Sequence, residues 1–207
     1  MDSRFIYIVF SSTPYVMGKA IRTLTRETYN HVSISLDPQL TRMYGFARRY
    51  YRLPLYGGFV AESPSRYIPG EKAANIRVCR LEITPTQYEA LENNLNRMYQ
   101  KREQYLYNHL SAVTSLMRRR VRLRDAFTCV EFCVQTLSNL GFDVDPRKFY
   151  SVGDLERLLR EYAIYTGPIP LTGDYDEAYY AQRPVSHPTW TTVRSMFALV
   201  PRLYARQ

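Results

Sequence analysis

Cysteine is scarce in this chain, and its arrangement excludes more than its number does. Three cysteines occur in 207 residues. The count is odd and no CxxC pair is present, so a disulfide framework is excluded and a reducing compartment is implied. No Cys/His spacing suits zinc, and the sequence asks for neither a metal nor a cofactor. Long hydrophobic runs are missing too. No stretch approaches the ~18 apolar residues of a membrane span. Residues 5–10 are apolar but too short for a secretory h-region, and Asp2 sits where such a leader carries basic residues. A soluble, cytoplasmic protein is expected. Internal repeats, low-complexity tracts and RNP or zinc-finger signatures are also absent, which argues against nucleic acid as the main partner.

What is present fits one compact α+β unit. At 207 residues and 45% hydrophobic composition the chain can bury a sizeable core. Residues 1–166 read as the main domain. Residues 167–207, rich in Pro, Gly and Tyr, read as an extension packed on it, with no secondary structure assigned. Arg4 to Phe10 predicts a strand, and Ser12 or Thr13 with Pro14 predicts a helix to about Arg26. His31 to Leu36 predicts a second strand, and Asp37-Pro38 a short helix ending near Tyr44. Residues 45–58 read as an irregular, Tyr- and Arg-rich connection. Strands follow at 57–63 and 75–83, and Thr84-Pro85 opens a helix carrying Tyr88, Leu91, Leu95 and Met98 at helical spacing. A further short helix is predicted in SVGDLERLLREY.

The chemistry concentrates in FTCVEFCVQTLSNLGF, residues 127–142. Thr128 and Glu131 have the spacing of a capping box, which makes Cys129 the first residue of an amphipathic helix closed at Gly141. Unpaired N–H groups and the positive end of the helix dipole stabilise a thiolate there. Cys129 is therefore the candidate nucleophile, whereas Cys133, one turn on among Val130, Val134 and Leu137, reads as core. The alternative is that both cysteines are core residues.

The histidines are also few. His31 leads the polar face, with Ser33 and Ser35, of a strand whose other face is Val32, Ile34 and Leu36. A neutral imidazole there can take a thiol proton and hold the ion pair. The alternative is a histidine bonded to backbone at a strand edge. His109 follows a run of tyrosines, and His187 precedes Pro188 in a loop. In GGFVAES, residues 57–63, Glu62 is an acid in a short apolar strand, and a buried carboxylate is costly unless paired. His31 is its candidate partner; an arginine on an exposed strand is the alternative.

A His strand, a Glu strand, a helical linker and a helix opening on aromatic-Thr-Cys-x-Glu-Phe, in that order, resemble the circularly permuted papain-like hydrolases. The matching pieces are YNHVSISLD, GGFVAES and FTCVEFCVQTL. That superfamily includes the YiiX-like, NlpC-related group and, more distantly, lecithin:retinol acyltransferase. Where many members have a small residue after the Cys, this chain has Val130. The resemblance implies an antiparallel sheet packed against helices, with Cys129 as nucleophile, His31 as base and Glu62 as orienter. The function it implies is attack on an amide, ester or thioester carbonyl of a small molecule, peptide or lipid.

Charge supplies the rival readings. The net charge is +9, and RRRVRLR, residues 118–124, is its densest run. Beside the Cys129 helix, Arg118, Arg119 and Arg120, with Ser33 and Thr128, are candidates for substrate contact. The same basic face, with nineteen tyrosines as stacking platforms, suits an inactive binding module or a protein of nucleic acid or anionic surfaces.

Overall fold

The computed structural model describes residues 3–68, 73–170, 172, 174–181 and 185–204. Asp2 and residues 171, 173, 182–184 and 205–207 of the extension lie outside the described residues. The fold is α+β, built on an 8-stranded mixed sheet among those residues.

The strands are β1 (Arg4–Ser11), β2 (His31–Ser35), β3 (Met43–Arg48), β4 (Gly57–Glu62), β5 (Asn75–Ile83), β6 (Leu106–Tyr107), β7 (Ala126–Phe127) and β8 (Ala163–Pro168). Their order is β7-β6-β4-β3-β2-β1-β5-β8. Every pairing is antiparallel except β6 with β7, which is parallel. The sheet is covered on both faces. On one, Ile6, Ile8, Phe10, Val32, Ile34 and Phe59 meet apolar residues of two helices, α2 (Pro85–Gln100) and α4 (Cys129–Asn139). On the other, Tyr7, Val9, Met43, Ile76 and Val78 pack with Tyr67 and Ile169. Alternation along the strands sends side chains both ways, and both sets are apolar.

The helix ends follow their caps. Thr84 accepts from Gln87 N and Gln87 from Thr84 N (3.2 and 2.9 Å), with Pro85 opening α2. Ser151 and Asp154 form the same reciprocal cap on α5 (Val152–Leu158). At the far end of α4, Gly141 has φ of 85°, and the Phe142 and Gly141 N–H groups donate back to Leu137 O and Ser138 O (both 3.0 Å). That is a Schellman motif, and its left-handed position explains the glycine.

Three expectations need correction. The helix expected after Asp37-Pro38 does not form. The Asp37 carboxylate instead accepts from Thr41 N and Thr41 Oγ1 (both 3.1 Å), Leu40 turns at φ 58°, and the chain enters β3. An aspartate before a proline caps a turn as readily as a helix. β3, MYGFAR, hid its period because Met43, Tyr44, Gly45 and Phe46 are all buried, so the segment 45–58 is a strand before it is a loop. The first helix, α1 (Val16–Thr25), also starts later than expected, with Tyr15 as an N-cap that makes no side-chain bond. Thr13 is engaged elsewhere: its hydroxyl accepts from Asn30 Nδ2 at 2.7 Å.

The C-terminal segment packs on the same body. β8 crosses the boundary expected at residue 166 and pairs with β5. Beyond it Ile169 N donates to Ala74 O at 2.8 Å, and Leu199 packs with Leu106, Leu123 and Ala126. Three helices described there, α6 (Glu177–Tyr180), α7 (Pro188–Phe197) and α8 (Val200–Tyr204), fall where the sequence suggested no element.

Phe59 is fully buried and meets the rings of Tyr44, Phe46, Tyr105 and Phe132. Phe59→Ala is expected to lower the unfolding free energy by about 3–5 kcal/mol in urea titration. Leu116→Ala, at an exposed position, should change it by less than about 0.5 kcal/mol.

Candidate active site

Helix α4 begins as its sequence dictates. The Thr128 side chain accepts from Glu131 N at 3.3 Å and the Glu131 carboxylate accepts from Thr128 N at 2.8 Å, so Cys129 is the first helical residue. Glu131 does more than cap. It also accepts from Ser111 Oγ (2.5 Å) and Arg120 Nε (3.0 Å), which ties α3 (His109–Thr114) and the basic run to the start of α4. Helix α4 packs against β2 and β3, and this brings Cys129 to His31.

His31 opens β2 in a buried position. Its Nε2 lies 3.1 and 3.3 Å from the two carboxylate oxygens of Glu62 at the end of β4. The Cys129 side chain acts on the same ring. With Nε2 taken by Glu62, Nδ1 is the nitrogen left for the thiol. Burial is the largest single influence on the ring and favours its neutral form. The charge of Glu62, the hydrogen bonds from Cys129 and Glu62, and the charge of Cys129 together outweigh it and raise the pKa to about 10. His31 is therefore an imidazolium at neutral pH. The structure thus gathers Cys129, His31 and Glu62 in one place, each nine-tenths or more buried.

Residues the sequence did not flag complete the site. Tyr67 donates its hydroxyl to Glu62 Oε2. The 3₁₀ turn Pro64–Tyr67 after β4 folds it back, and the proline just past the strand was the available signal. Gly45 in β3 leaves room for the carboxylate: a Cβ there would come within 3.3 Å of Glu62 Oε1 and 3.4 Å of Ser33 Cβ. Tyr107 reaches the site through the parallel ladder that pairs it with Phe127, two residues before Cys129. Burial, then the charges of Cys129 and Glu131, push its phenol well above the usual 10, so it stays a neutral donor. His109 is lowered from 6.5 by burial, and its buried Nε2 has no hydrogen-bond partner among the described residues.

Burial keeps the other two cysteines protonated. Burial drives the Cys79 thiol up to about 12, and burial with the charges of Cys129 and Glu62 raises Cys133 well above its ordinary value. Both are thiols at neutral pH.

The site opens into a cleft of about 590 Å³. Its lining includes the apolar Leu24, Val113, Leu116, Val130 and Val134, and also Tyr15, Arg48, Arg66, Tyr67 and Tyr179, of which the two arginines gather on the Tyr15 and Tyr179 rings. Of the residues expected to contact substrate, Thr128 and Arg120 line the cleft, but Arg120 is already paired with Glu131. Ser33, Arg118 and Arg119 do not line it. Ser33 is buried beside Gly45, Arg118 reaches outward to Asp154 and the Phe149 ring, and Arg119 is tied by its backbone to Thr114. No metal-binding group of three or more His, Cys, Asp or Glu occurs among the described residues. No described helix is long and apolar enough to cross a membrane.

No family model matches the chain, and no curated protein or solved structure matches it.

The raised His31 pKa has a signature in stability. Its folded value lies above the ordinary 6.5, so its stabilising contribution is fully present below about pH 6.5 and is lost as pH rises through about 10. The stability advantage of wild type over His31→Gln, measured by urea unfolding, should shrink between about pH 7 and about pH 10. A difference that stays constant over that range would contradict the ion pair.

Proposed function

We propose that this chain is a cysteine-dependent hydrolase or acyltransferase of permuted papain-like fold. One observation carries the reading: a single buried imidazole is bonded to the Glu62 carboxylate, and its pKa is raised by the Cys129 side chain as well. The order of the three in the chain, His31, Glu62, Cys129, and the capped helix that begins at the thiol add support.

In this reading Cys129 and His31 rest as a thiolate–imidazolium pair, the thiol proton already on the ring, and the thiolate attacks an amide, ester or thioester carbonyl. The developing oxyanion is met by N–H groups of the first turn of α4 and by the Tyr107 hydroxyl. His31 then returns the proton to the leaving amine, alcohol or thiol, and a thioester remains on Cys129. Water or an acceptor amine or alcohol, deprotonated by His31, releases the acyl group. Glu62, held by Tyr67, orients the ring and stabilises the imidazolium. The apolar lining of the cleft suits the acyl portion of a peptide or lipid. Exposed Val113, Leu116 and Met117 beside Arg118 offer an approach for an anionic substrate or surface. Three free cysteines suit a reducing compartment such as the cytoplasm.

Alkylation by iodoacetamide, read by mass spectrometry, tests the reading. Cys129 should be modified at neutral pH while Cys79 and Cys133 are spared, and His31→Ala should slow it by about 100-fold. Equal, sluggish modification in both proteins would leave a binding module that keeps the fold without the chemistry.

A further inference from the structure

The cleft has a cationic cluster that the acyl-transfer chemistry does not use. Arg48 ends β3 with its guanidinium stacked on the Tyr15 ring, 3.7 Å from the centroid, and with Tyr51 and Tyr179 within 5.8 and 5.9 Å. Among the described residues it has no carboxylate partner. Arg66 follows on the 3₁₀ turn after β4, over the Tyr179 ring at 4.5 Å. Its Nε donates to Asp176 at 2.6 Å, yet its buried Nη1 has no hydrogen-bond partner among the described residues.

Buried polar atoms are hydrogen-bonded in folded proteins, so an orphaned donor on an arginine that lines the cleft is in want of an acceptor. Two guanidiniums together set the sign of that acceptor, since the planar donor fork matches carboxylate and phosphate oxygens. Asp176 offsets part of the Arg66 charge but engages only Nε. The other acids on the cleft are committed: Glu62 to His31 and Tyr67, Glu131 to Arg120 and Ser111, and Glu27 to Ser151 and Gly153 N. The aromatic walls shield the site from water, which strengthens a charge-assisted bond.

The cluster adjoins the reaction centre. Arg48 pairs with Gly57 across the β3/β4 ladder, and Gly57 packs against the root of Tyr107, whose phenol senses the charge on Cys129. On the other side Arg66 precedes Tyr67, which holds Glu62.

We propose that Arg48 and Arg66 form an anion subsite that binds a carboxylate or phosphate group of the substrate close to the carbonyl under attack. The proposal deepens the acyl-transfer reading and rests on it. The substrate class it names is an acyl compound with an oxyanion group near the scissile bond and an apolar portion against Leu24, Val113 and Leu116.

Isothermal calorimetry on the full chain tests it with four probes: inorganic phosphate, octyl phosphate, octanoate and octanol. The three anions should bind, octyl phosphate or octanoate more tightly than inorganic phosphate, and octanol more weakly than its charged counterparts. A preference for octyl phosphate over octanoate points to a phosphate-bearing substrate, the reverse to a carboxylate. Arg48→Gln should weaken the anions at least about tenfold and leave octanol unchanged, as expected for loss of one charge-assisted contact. Arg48→Lys, which keeps the charge and much of the packing, should retain part of the affinity. Anion affinities that are unchanged in both Arg48→Gln and Arg66→Gln, or no better than that of octanol, would overturn the subsite. The two readings fail separately. Anion binding that persists while Cys129 resists iodoacetamide sinks the acyl chemistry and keeps the subsite. A reactive Cys129 that octyl phosphate does not protect, in a protein that binds no anion, does the reverse.

Discussion

A carboxylate buried at the end of a sheet strand has to be matched by a cation or by donors, because charge in a low-dielectric interior is costly when left alone. Here Glu62 is matched by His31 on one side and Tyr67 on the other, and much of the site's architecture serves that arrangement. Gly45 clears space for the carboxylate, the proline-initiated turn returns Tyr67 to it, and the β1–β2–β3–β4 order sets His31 and Glu62 two strands apart on the same sheet. The consequence is an imidazole that stays protonated although it is buried, which is the state a neighbouring thiolate requires.

The second constraint is the start of α4. Glu131 is at once the cap of the helix and the acceptor for Ser111 and Arg120, so the place where Cys129 sits is fixed from the helix side and from the loop side together. The basic run before the helix is thereby divided. Arg120 is inside and structural, whereas Arg118 and Arg124 face solvent, at 67% and 73% side-chain exposure, each beside an aspartate.

The parts of the site that were legible in the sequence were those with local signatures. A capping box, a glycine C-cap and a polar residue heading an alternating strand can each be read within a few residues, and they locate Cys129 and His31. Glu62 was legible through cost alone, as an acid in an apolar strand. Tyr67, Tyr107, Arg48 and Arg66 were not, because what places them is non-local: a turn that folds back five residues, a two-residue parallel ladder, and stacking against a C-terminal segment more than a hundred residues away. The fold followed the same division. The strands and helices with clean periods were readable, while β3, buried on both faces, showed no alternation and passed for a loop. Asp37 was misread because one residue type serves both helix caps and turns.

The central claim is that Glu62 holds His31 in its charged form beside Cys129, and nitrogen NMR of the His31 ring as a function of pH tests it most directly. Both ring nitrogens should remain protonated through neutral pH, with a transition near 10, and in Glu62→Gln that transition should fall back toward the ordinary value of about 6.5. A wild-type ring that is already neutral at pH 8, titrating at or below about 6.5 whether or not Glu62 is present, would contradict the account.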